Sequence, residues 1–343
     1  MKLSVALCTY NGQAYLQDQF ASLLAQDRLP TEVVISDDAS TDDTLSLVDA
    51  FAKQAPFPVY VLVNQSNIGT AYNFSRAIAA CSGDIIALCD QDDVWLPQKL
   101  DLIMQAFSSN PQIGYAFSDA IVVDQHLQSF SDAEASLWHS VAFTPEDIDS
   151  FTLGDCVWQV QRLLQRTLVT GTTMAFRSSL RHLVLPVSPT WVHDAWIALV
   201  LSAFGCVGMP IKQPLVKYRQ HQSQQLGVRS GLAIHSPQVS NITKFDIFRK
   251  MPKDTKLTKR FESLEAMQVL SQHLISCQQA RNEAISDRVM TVIQSHTQHL
   301  RSRILAYESN GLQRWAIILR SLISGGYHIH SNRYASVIKD TMC

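Results

Sequence analysis

The sequence predicts an α/β fold in which a Rossmann-like, mostly parallel sheet is flanked by helices and followed by a helical C-terminal extension. Three observations support this prediction. Short apolar runs alternate with segments whose apolar residues recur at helical spacing. Turn residues such as Asn11 and Gly12 separate the two kinds of segment. Three of the runs end in polar clusters, at the end of the strand where ligands of open α/β sheets bind.

The alternating segments define a series of strand–helix units. The predicted strands cover residues 3–8, 33–35, 59–63 and 85–88, and the helices after them cover residues 15–24, 45–51, 72–80 and 97–108. Thr41 is placed to cap the second helix, and Pro97 to open the fourth. Further short strands are expected over Ile113–Val123. Because the apolar runs are unbroken, the strands are expected to be buried on both faces, as in parallel sheets.

Length and composition restrict the class of protein. With 343 residues, of which 46% are hydrophobic, the chain can bury one large core and an appendage. We predict a first domain over residues 1–225. Residues 226–343 are predicted to form a linker and a helical region, with helices near 260–280, 282–307 and 312–323.

The cysteines and the apolar stretches indicate a location. Seven cysteines without a CxxC pair do not suggest a disulfide framework. The N-terminus turns polar too early for a signal peptide, and residues 195–211 fall short of the roughly 20 apolar residues of a spanning helix. We therefore expect a cytoplasmic protein, with the inner face of the plasma membrane as one possible location.

Charge is distributed unevenly along the chain. Residues 1–160 carry 5 Lys/Arg and 21 Asp/Glu, a net charge of −16, whereas residues 161–343 carry 23 and 9, a net charge of +14. An acidic half suits a divalent cation, and a basic half suits phosphates, an anionic membrane or the acidic half itself. The chain has no nucleic-acid-binding motif, and its pI near 6.6 does not favour nucleic acid as a partner.

Polar clusters follow the first, second and fourth predicted strands, so they are expected to meet in one crevice. Their members are Thr9, Tyr10 and Asn11 after the first strand, Asp37 and Asp38 after the second, and Asp90, Gln91, Asp92 and Asp93 after the fourth. Close carboxylates repel unless a cation or hydrogen bonds compensate. Mg²⁺ or Mn²⁺ is a suitable cation, because hard ions take oxygen ligands and leave positions for substrate phosphates. The alternative is a solvated acidic turn before a helix.

Asp37 and Asp38 have two interpretations. At a strand tip, a carboxylate can accept from a ribose hydroxyl or from an N–H of a base. Alternatively, the run of Asp, Ser and Thr from Asp37 to Thr44 caps the following helix.

Several ordered motifs together carry a family resemblance. They are Cys8-Thr9-Tyr10-Asn11-Gly12, Ser36-Asp37-Asp38-Ala39-Ser40, Asn67-Ile68-Gly69, Asp90-Gln91-Asp92-Asp93-Val94-Trp95, Thr170-Gly171-Thr172-Thr173, His193-Asp194-Ala195-Trp196 and Tyr218-Arg219-Gln220-His221. This set resembles family-two glycosyltransferases with a GT-A fold, and in its details bacterial rhamnosyltransferases. The resemblance covers about residues 3–225. It implies that residues 1–225 form a catalytic domain, with a nucleotide-sugar half at about 1–120 and an acceptor half at about 121–225.

The resemblance implies a role for each motif position. Thr9, Tyr10 and Asp38 would contact the nucleobase and ribose, Asp90 the ribose side, and Asp92 the metal that bridges the diphosphate. The remaining nucleotide contacts would come from Asn11, Asp37, Asn67 and Gln91. His221 would supply a further metal or phosphate contact, although a lone loop histidine is often only a surface residue.

The later motifs resemble the acceptor side of the family's site. Asp194 falls at the position of the catalytic base, with helix capping as its structural alternative. Gly171, Thr172, His193 and Trp95 would line the junction of donor and acceptor, and Gly171 would let the backbone approach a sugar. Ala195 replaces an aromatic residue that is common in the family, which implies a roomier acceptor pocket.

The expected function is that of an inverting, metal-dependent glycosyltransferase in surface polysaccharide synthesis, such as that of O-antigen. Its donor would be a dTDP- or UDP-linked sugar, with rhamnose suggested by the resemblance, and its acceptor a saccharide or a lipid-linked saccharide. One alternative is a sugar-phosphate nucleotidyltransferase, which usually has a Gly-rich, basic loop after the first strand. Another is a non-catalytic module that binds nucleotide-sugars or membranes.

The C-terminal tail contains an apolar stretch, residues 315–326, with Arg314 before it and Arg320 within it. Residues 241–343 carry 15 basic and 8 acidic residues. This pattern suits peripheral contact with an anionic leaflet. Packing on the catalytic domain and formation of a homo-oligomer are equally compatible with it.

Overall fold

The structure is a computed structural model that describes residues 1–129, 136–221, 224, 253–281, 283–327, 337 and 340. The chain divides into two compact units. Residues 1–156 and 167–228 form the first, and residues 157–166 and 229–343 form the second. Residues 157–166 lie within the segment predicted to be catalytic, yet they group with the C-terminal unit. No sequence pattern indicated this grouping.

The first unit is built on an eight-stranded sheet with the order β3-β2-β1-β4-β7-β6-β8-β5. The strands are β1 (Leu3–Thr9), β2 (Glu32–Asp37), β3 (Val59–Val63), β4 (Ile85–Cys89), β5 (Val94–Trp95), β6 (Ile113–Val123), β7 (Met174–Arg177) and β8 (Val207–Arg219). The first four strands run parallel, and β6 pairs parallel with β8. β7 is antiparallel to both of its neighbours, and β5 is antiparallel to β8. The predicted mostly parallel α/β sheet is confirmed.

Helices contact both faces of this sheet. The helices of the first unit are α1 (Leu16–Leu24), α2 (Thr44–Gln54), α3 (Thr70–Ala80), α4 (Lys99–Ser109), α5 (Leu137–Ser140), α6 (Pro145–Thr152), α8 (Arg181–Val184) and α9 (His193–Ala203). Helix α7 (Cys156–Gln165) lies, apart from Cys156, among the residues of the second unit. Side chains from α1, α2 and α4 share one core cluster with alternate residues of β1, namely Leu3, Val5 and Leu7. Helix α3 contacts β1, β2 and α9. Successive residues of a strand point to opposite faces, so both sides of β1 are buried.

Three local predictions were wrong. Strand β3 is not buried on both faces, because it lies at the edge of the sheet and exposes Tyr60, Val61 and Val63. Thr41 does not cap the second helix, since α2 begins at Thr44 and the backbone N–H of Thr41 donates to Asn11 Oδ1 (2.8 Å). The segment Ile113–Val123 is one continuous strand rather than several short ones.

Among the described residues of the second unit, three further helices are α10 (Lys253–Arg281), α11 (Asp287–Glu308) and α12 (Gly311–Ile323). Helix α11 packs against both α10 and α12. Asp340 is buried and accepts hydrogen bonds from Arg303 (Nε, 2.7 Å), from the Tyr327 hydroxyl (2.8 Å) and from Arg260. These contacts tie the end of the chain to the helices. Among the helices of the described residues, none is long and apolar enough to cross a membrane.

Candidate active site

The loops after β1, β2 and β4 meet at the carboxyl edge of the sheet. The Thr9 hydroxyl donates to Asp37 Oδ2 (2.7 Å), which joins the ends of β1 and β2. Asn11 adds two contacts to the β2 loop, because its backbone N–H donates to Ser40 Oγ (2.9 Å) and its side-chain oxygen accepts from Thr41 N. The structure thus brings together the first two clusters that the sequence singled out.

Gln91 joins the β1 loop to the β4 loop. Its side-chain amide accepts from the backbone N–H of Tyr10 (2.8 Å) and donates to the carbonyl of the same residue (3.0 Å). This pairing requires Gly12, because a Cβ at that position would lie 2.3 Å from Gln91 Oε1. The side chain of Tyr10 is 44% exposed, so the backbone of this residue is fixed while its ring faces outward.

Asp37 and Asp38 are both buried and saturated by protein donors. Beside Thr9, Asp37 accepts from the backbone N–H (2.8 Å) and the hydroxyl (2.6 Å) of Ser40. Asp38 accepts from Asn64 Nδ2 (2.7 Å) and from the backbone N–H groups of Ile68 (2.8 Å) and Gly69 (2.9 Å). Asp37 therefore shapes its own loop, and Asp38 fixes the loop before α3.

Two buried asparagines, one before α3 and one within it, support this region and were not singled out from the sequence. Asn67, which was predicted to contact the nucleotide, is exposed. The buried asparagines are Asn64 and Asn73, whose side chains bond each other (3.1 Å), and Asn64 also accepts from Arg76. Asn73 further binds the hydroxyl and the carbonyl of Ser36. Asn64 stands only three residues before the motif that was quoted, but its burial depends on contacts that the sequence does not show.

The turn after β4 brings Asp92 next to His221. The Nε2 atom of His221 lies 2.9 Å from Asp92 Oδ2. The imidazole ring also packs on Tyr15, with 4.3 Å between ring centroids. The two residues predicted to hold a metal are therefore neighbours, although 129 positions separate them in the chain.

Arg219 holds the turn after β4 in place through hydrogen bonds. This residue was not singled out from the sequence. It is buried, and its guanidinium donates to the carbonyls of Asp92 (2.7 Å) and Gln125 (2.8 Å) and to Asp18 Oδ2 (2.7 Å). Its backbone N–H donates to Asp93 Oδ1 (2.9 Å). Asp93 therefore binds β8 and does not cap α4, which begins at Lys99. The motif around His221 was the available signal for Arg219.

Burial and like charge act on the acidic run. Burial raises the pKa of Asp90 to about 6; His193 opposes this shift, while Asp92 and Asp194 increase it. Burial also raises the pKa of Asp93 well above its usual range, and Asp92 and Asp90 add to the shift. Negative charge is therefore costly here, and a bound cation would reduce the cost.

Asp194 lies in the first turn of α9, close to the acidic run. Its Oδ2 accepts from the backbone N–H of Gly171 (2.7 Å) and its Oδ1 from that of Ala195 (2.5 Å). Burial raises the pKa of Asp194 to about 6, although both hydrogen bonds favour the charged form. A carboxyl group with a pKa near 6 is ionised at neutral pH and can still accept a proton.

His193 is buried, and neither of its ring nitrogens has a hydrogen-bond partner within the described residues. The ring stacks on Phe74 with 3.9 Å between centroids. Gly171 makes room for it, since a Cβ there would lie 2.3 Å from His193 Nε2. The expected approach of the Gly171 backbone to a sugar stays a prediction.

Trp95 and Thr172 connect the core to the acidic run, because the backbone of Thr172 forms a hydrogen bond with Asp90. Both are buried, and the indole Nε1 donates to Thr172 Oγ1 (3.2 Å). The ammonium group of buried Lys99 donates to the Thr172 carbonyl (3.0 Å) and lies 4.5 Å from the centre of the Trp95 ring. Burial lowers the pKa of Lys99 to about 7. These residues support the Gly171 segment from the core.

The donor atoms beside the acidic run fit a divalent cation. Asp92 offers a carboxylate oxygen, the kind of ligand that Mn²⁺ and Mg²⁺ prefer, and His221 offers an imidazole nitrogen, which suits Mn²⁺ better than the harder Mg²⁺. Within the described ranges, no group of three or more His, Cys, Asp or Glu is arranged to hold a metal. A cation at this place would therefore need ligands from a bound molecule, as when Mg²⁺ is shared with substrate phosphates.

Part of the chain matches a known family model. Residues 4–163 match the model of Glycosyl transferase family 2. An uncharacterized glycosyltransferase of Nostoc sp. is 37% identical over 114 residues, which are 33% of this chain and 35% of that protein.

A second relative has a described donor. The dTDP-rhamnosyl transferase RfbG of Shigella flexneri is 34% identical over 98 residues, 27% of this chain and 34% of the relative. The chain thus spans about a third of the length of each of these two curated relatives.

The structural comparison concerns the fold. The crystal structure of S. aureus TarS 1-349 in complex with UDP-GlcNAc is similar to this chain with a TM-score of 0.53 and 16% identity. The similarity covers 99% of this chain and 91% of the TarS chain. The predicted GT-A type fold is therefore confirmed.

Proposed function

We propose that this protein is an inverting, metal-dependent glycosyltransferase that moves a sugar from a nucleotide-sugar to a hydroxyl group of a saccharide or lipid-linked acceptor. The single observation that carries the proposal is the placement of buried Asp194 within electrostatic reach of Asp90, beside the Asp92–His221 pair. This arrangement combines a proton acceptor with a place for the leaving diphosphate. The family 2 match over residues 4–163 supports the same conclusion.

The nucleoside would bind at the loops after β1 and β2. The exposed ring of Tyr10 offers a face on which a base can stack, and Asp38 keeps the opposite loop in place. Because Asp37 is saturated by its own loop, we assign it a structural role rather than contact with the base. The donor would be a UDP- or dTDP-sugar, and the name of the Shigella relative favours dTDP-rhamnose.

Asp92 and His221 are the residues that would hold Mn²⁺ or Mg²⁺. When bound, such an ion stabilises the negative charge that develops on the departing diphosphate. Arg219 keeps Asp92 in position through the Asp92 carbonyl, so the side chain of Asp92 stays directed at His221.

Asp194 would act as the general base. Its ionised carboxylate takes the proton of the acceptor hydroxyl while the acceptor oxygen forms a bond to the anomeric carbon. The bond from that carbon to the diphosphate breaks at the same time, and its electron pair leaves with the diphosphate. One in-line displacement inverts the configuration, so a second nucleophilic carboxylate is not required.

The alternative of a sugar-phosphate nucleotidyltransferase is less favoured. Its phosphates would need a basic loop after β1, whereas Tyr10, Asn11 and Gly12 contain no Lys or Arg and are held by Gln91, Ser40 and Thr44. The proposal places the reaction in the cytoplasm, at the inner face of the membrane for a lipid-linked acceptor, within surface polysaccharide synthesis.

A thermal-shift panel tests this proposal. UDP, dTDP, GDP and their sugars are added to the full chain with Mn²⁺ or with EDTA. We expect one nucleotide class to raise the melting temperature with Mn²⁺ and to do so much less with EDTA, and its nucleotide-sugar to be hydrolysed slowly to the nucleoside diphosphate. No shift with any nucleotide in either condition would contradict the proposal.

A further inference from the structure

Helix α12 presents a continuous apolar face to solvent. Leu312 is 89% exposed, Trp315 57%, Leu319 55% and Ile323 78%. These residues follow one another at intervals of three or four positions, so they lie on one side of the helix. We refer to Leu312, Trp315, Leu319 and Ile323 as the α12 face.

The opposite side of α12 is fixed within its own unit. Ile318 and Ser321 are buried, and the Ser321 hydroxyl lies 3.0 Å from His299 Nδ1 of α11. At the start of the helix, Arg314 Nε donates to the carbonyls of Ala306 (3.0 Å) and Ser309 (3.1 Å). The α12 face is therefore held outward by a well-anchored helix, and its exposure does not come from a missing partner on α11.

Charge distinguishes between the surfaces that can cover this face. Helix α12 contains Arg314 and Arg320 but no Asp or Glu. Arg320 is exposed, and its position on the helix places it at the margin of the α12 face. A second copy of the same face would bring positive charge to both sides of the contact. An anionic lipid surface instead complements arginine, and it accommodates a tryptophan at the headgroup level.

We propose that α12 docks on an anionic membrane, lying in the plane of the interface. The α12 face enters the boundary between headgroups and acyl chains, and Arg320 pairs with lipid phosphates. The helix of 13 residues is about 20 Å long, which suits an in-plane position. This inference does not depend on the proposed enzymatic activity.

Vesicle flotation of the full chain tests the inference. Vesicles of phosphatidylglycerol and phosphatidylcholine are compared with vesicles of phosphatidylcholine alone, at low and at high salt. We expect the protein to float with the anionic vesicles, to float much less with the neutral ones, and to be released by salt. The variant Leu312→Gln/Ile323→Gln is expected to reduce the bound fraction by about tenfold or more, because two apolar side chains no longer enter the lipid.

The control is Leu153→Gln, which changes a leucine of similar exposure (85%) outside α12. This variant should float as well as the unchanged chain. All three proteins should have equal helix content and melting temperature, since the substituted side chains are exposed. If the double variant is less stable than the unchanged chain, Trp315→Gln provides a test with a single substitution.

Three results would overturn the inference. The first is the absence of flotation with anionic vesicles, and the second is equal flotation of the unchanged chain and the α12 variants. The third is a concentration-dependent dimer, detected by sedimentation, that Leu312→Gln/Ile323→Gln dissociates. That result would assign the α12 face to a second copy of the chain.

Discussion

The two ends of the candidate site, at the β1 and β2 loops and at β4 and α9, differ in how their buried polar groups are hydrogen-bonded and charged. At the β1 and β2 loops, Asp37 and Asp38 are buried, and each accepts three hydrogen bonds from protein donors. At the β4 and α9 end, burial raises the pKa values of Asp90 and Asp194 to about 6. The nearby ring of His193 is buried without a hydrogen-bond partner in the described part of the chain.

This difference indicates what each end does. Saturated carboxylates stabilise loops, so the first end is a preformed surface whose shape does not depend on a ligand. A buried carboxylate that must carry a charge, or a buried polar group without a hydrogen-bond partner, lowers the stability of the fold. Such groups are characteristic of functional sites. The second end is therefore the place where we expect a cation, a phosphate and a proton transfer.

The largest effect is expected for Asp194→Asn. An amide cannot accept the acceptor proton, so transfer should fall by about 10²- to 10⁴-fold. The affinity for the donor, measured by calorimetry, should stay within a few-fold of that of the unchanged protein. The nucleoside is proposed to bind at the loops after β1 and β2, which do not contain Asp194. The control Asp49→Asn alters an exposed carboxylate and should keep full transfer. Retained transfer in Asp194→Asn would remove Asp194 from the role of base.

At the β4 and α9 end of the site, Arg219→Gln should be the most destabilising change. Two backbone carbonyls would lose a charged donor inside the protein, and we expect a loss of about 2–4 kcal/mol in the free energy of unfolding. Chemical denaturation measures this loss. The matched control is Arg28→Gln, whose arginine forms an exposed pair with Asp101. Equal stability of the two variants would show that Arg219 does not fix the turn.

A smaller change is expected for the two proposed metal ligands. Asp92→Asn and His221→Ala should each weaken Mn²⁺ binding in the presence of nucleoside diphosphate by at least about tenfold. Calorimetric titration with Mn²⁺ measures the change, and Asp37→Asn should leave it nearly unaltered. If EDTA does not reduce the transfer activity of the unchanged protein, the metal assignment is wrong.

The smallest effect concerns pH. Asp194 must be ionised to act as base, and its pKa is raised to about 6. We therefore expect kcat/KM to fall about tenfold per pH unit below pH 6 and to level off above it. A rate profile between pH 5 and pH 8 tests this expectation. A profile that stays flat down to pH 5 would indicate a base with a lower pKa.

The sheet was predictable because buried parallel strands leave a strong pattern. Strands β1, β2 and β4 are apolar runs that end in polar residues, and the order of their motifs indicated the crevice. The edge strand β3 shows the limit of that reasoning, since its run Val59–Val63 is equally apolar although three of its side chains are exposed. Position in the sheet, which decides this exposure, depends on pairing between distant segments.

The supporting residues of the site were less predictable for the same reason. Arg219 contacts Asp18 and Asp92, which lie more than 100 positions away in the chain. Local sequence patterns do not predict contacts of this kind. The sequence also does not show that Gly171 packs against His193. The sequence therefore indicated which residue types form the site, while three-dimensional contacts decide which of them support it.

The contrast between the two ends is tested most directly by the unfolding free energies of Asp38→Asn and Asp90→Asn, measured in EDTA at pH 7.5. Asp38→Asn should lower the free energy of unfolding by about 1–3 kcal/mol, because an amide cannot accept from all three N–H donors.

Asp90→Asn should instead raise the free energy of unfolding by about 1–2 kcal/mol. The folded pKa of Asp90, about 6, lies above the usual 3.8, so stability is lost as the pH rises from about 4 to about 6, and the full cost of the charged carboxylate is present at pH 7.5. The gain should vanish near pH 4, where Asp90 is protonated in the folded protein. Opposite signs at pH 7.5 are the predicted result, and a loss of stability in both variants would contradict the account.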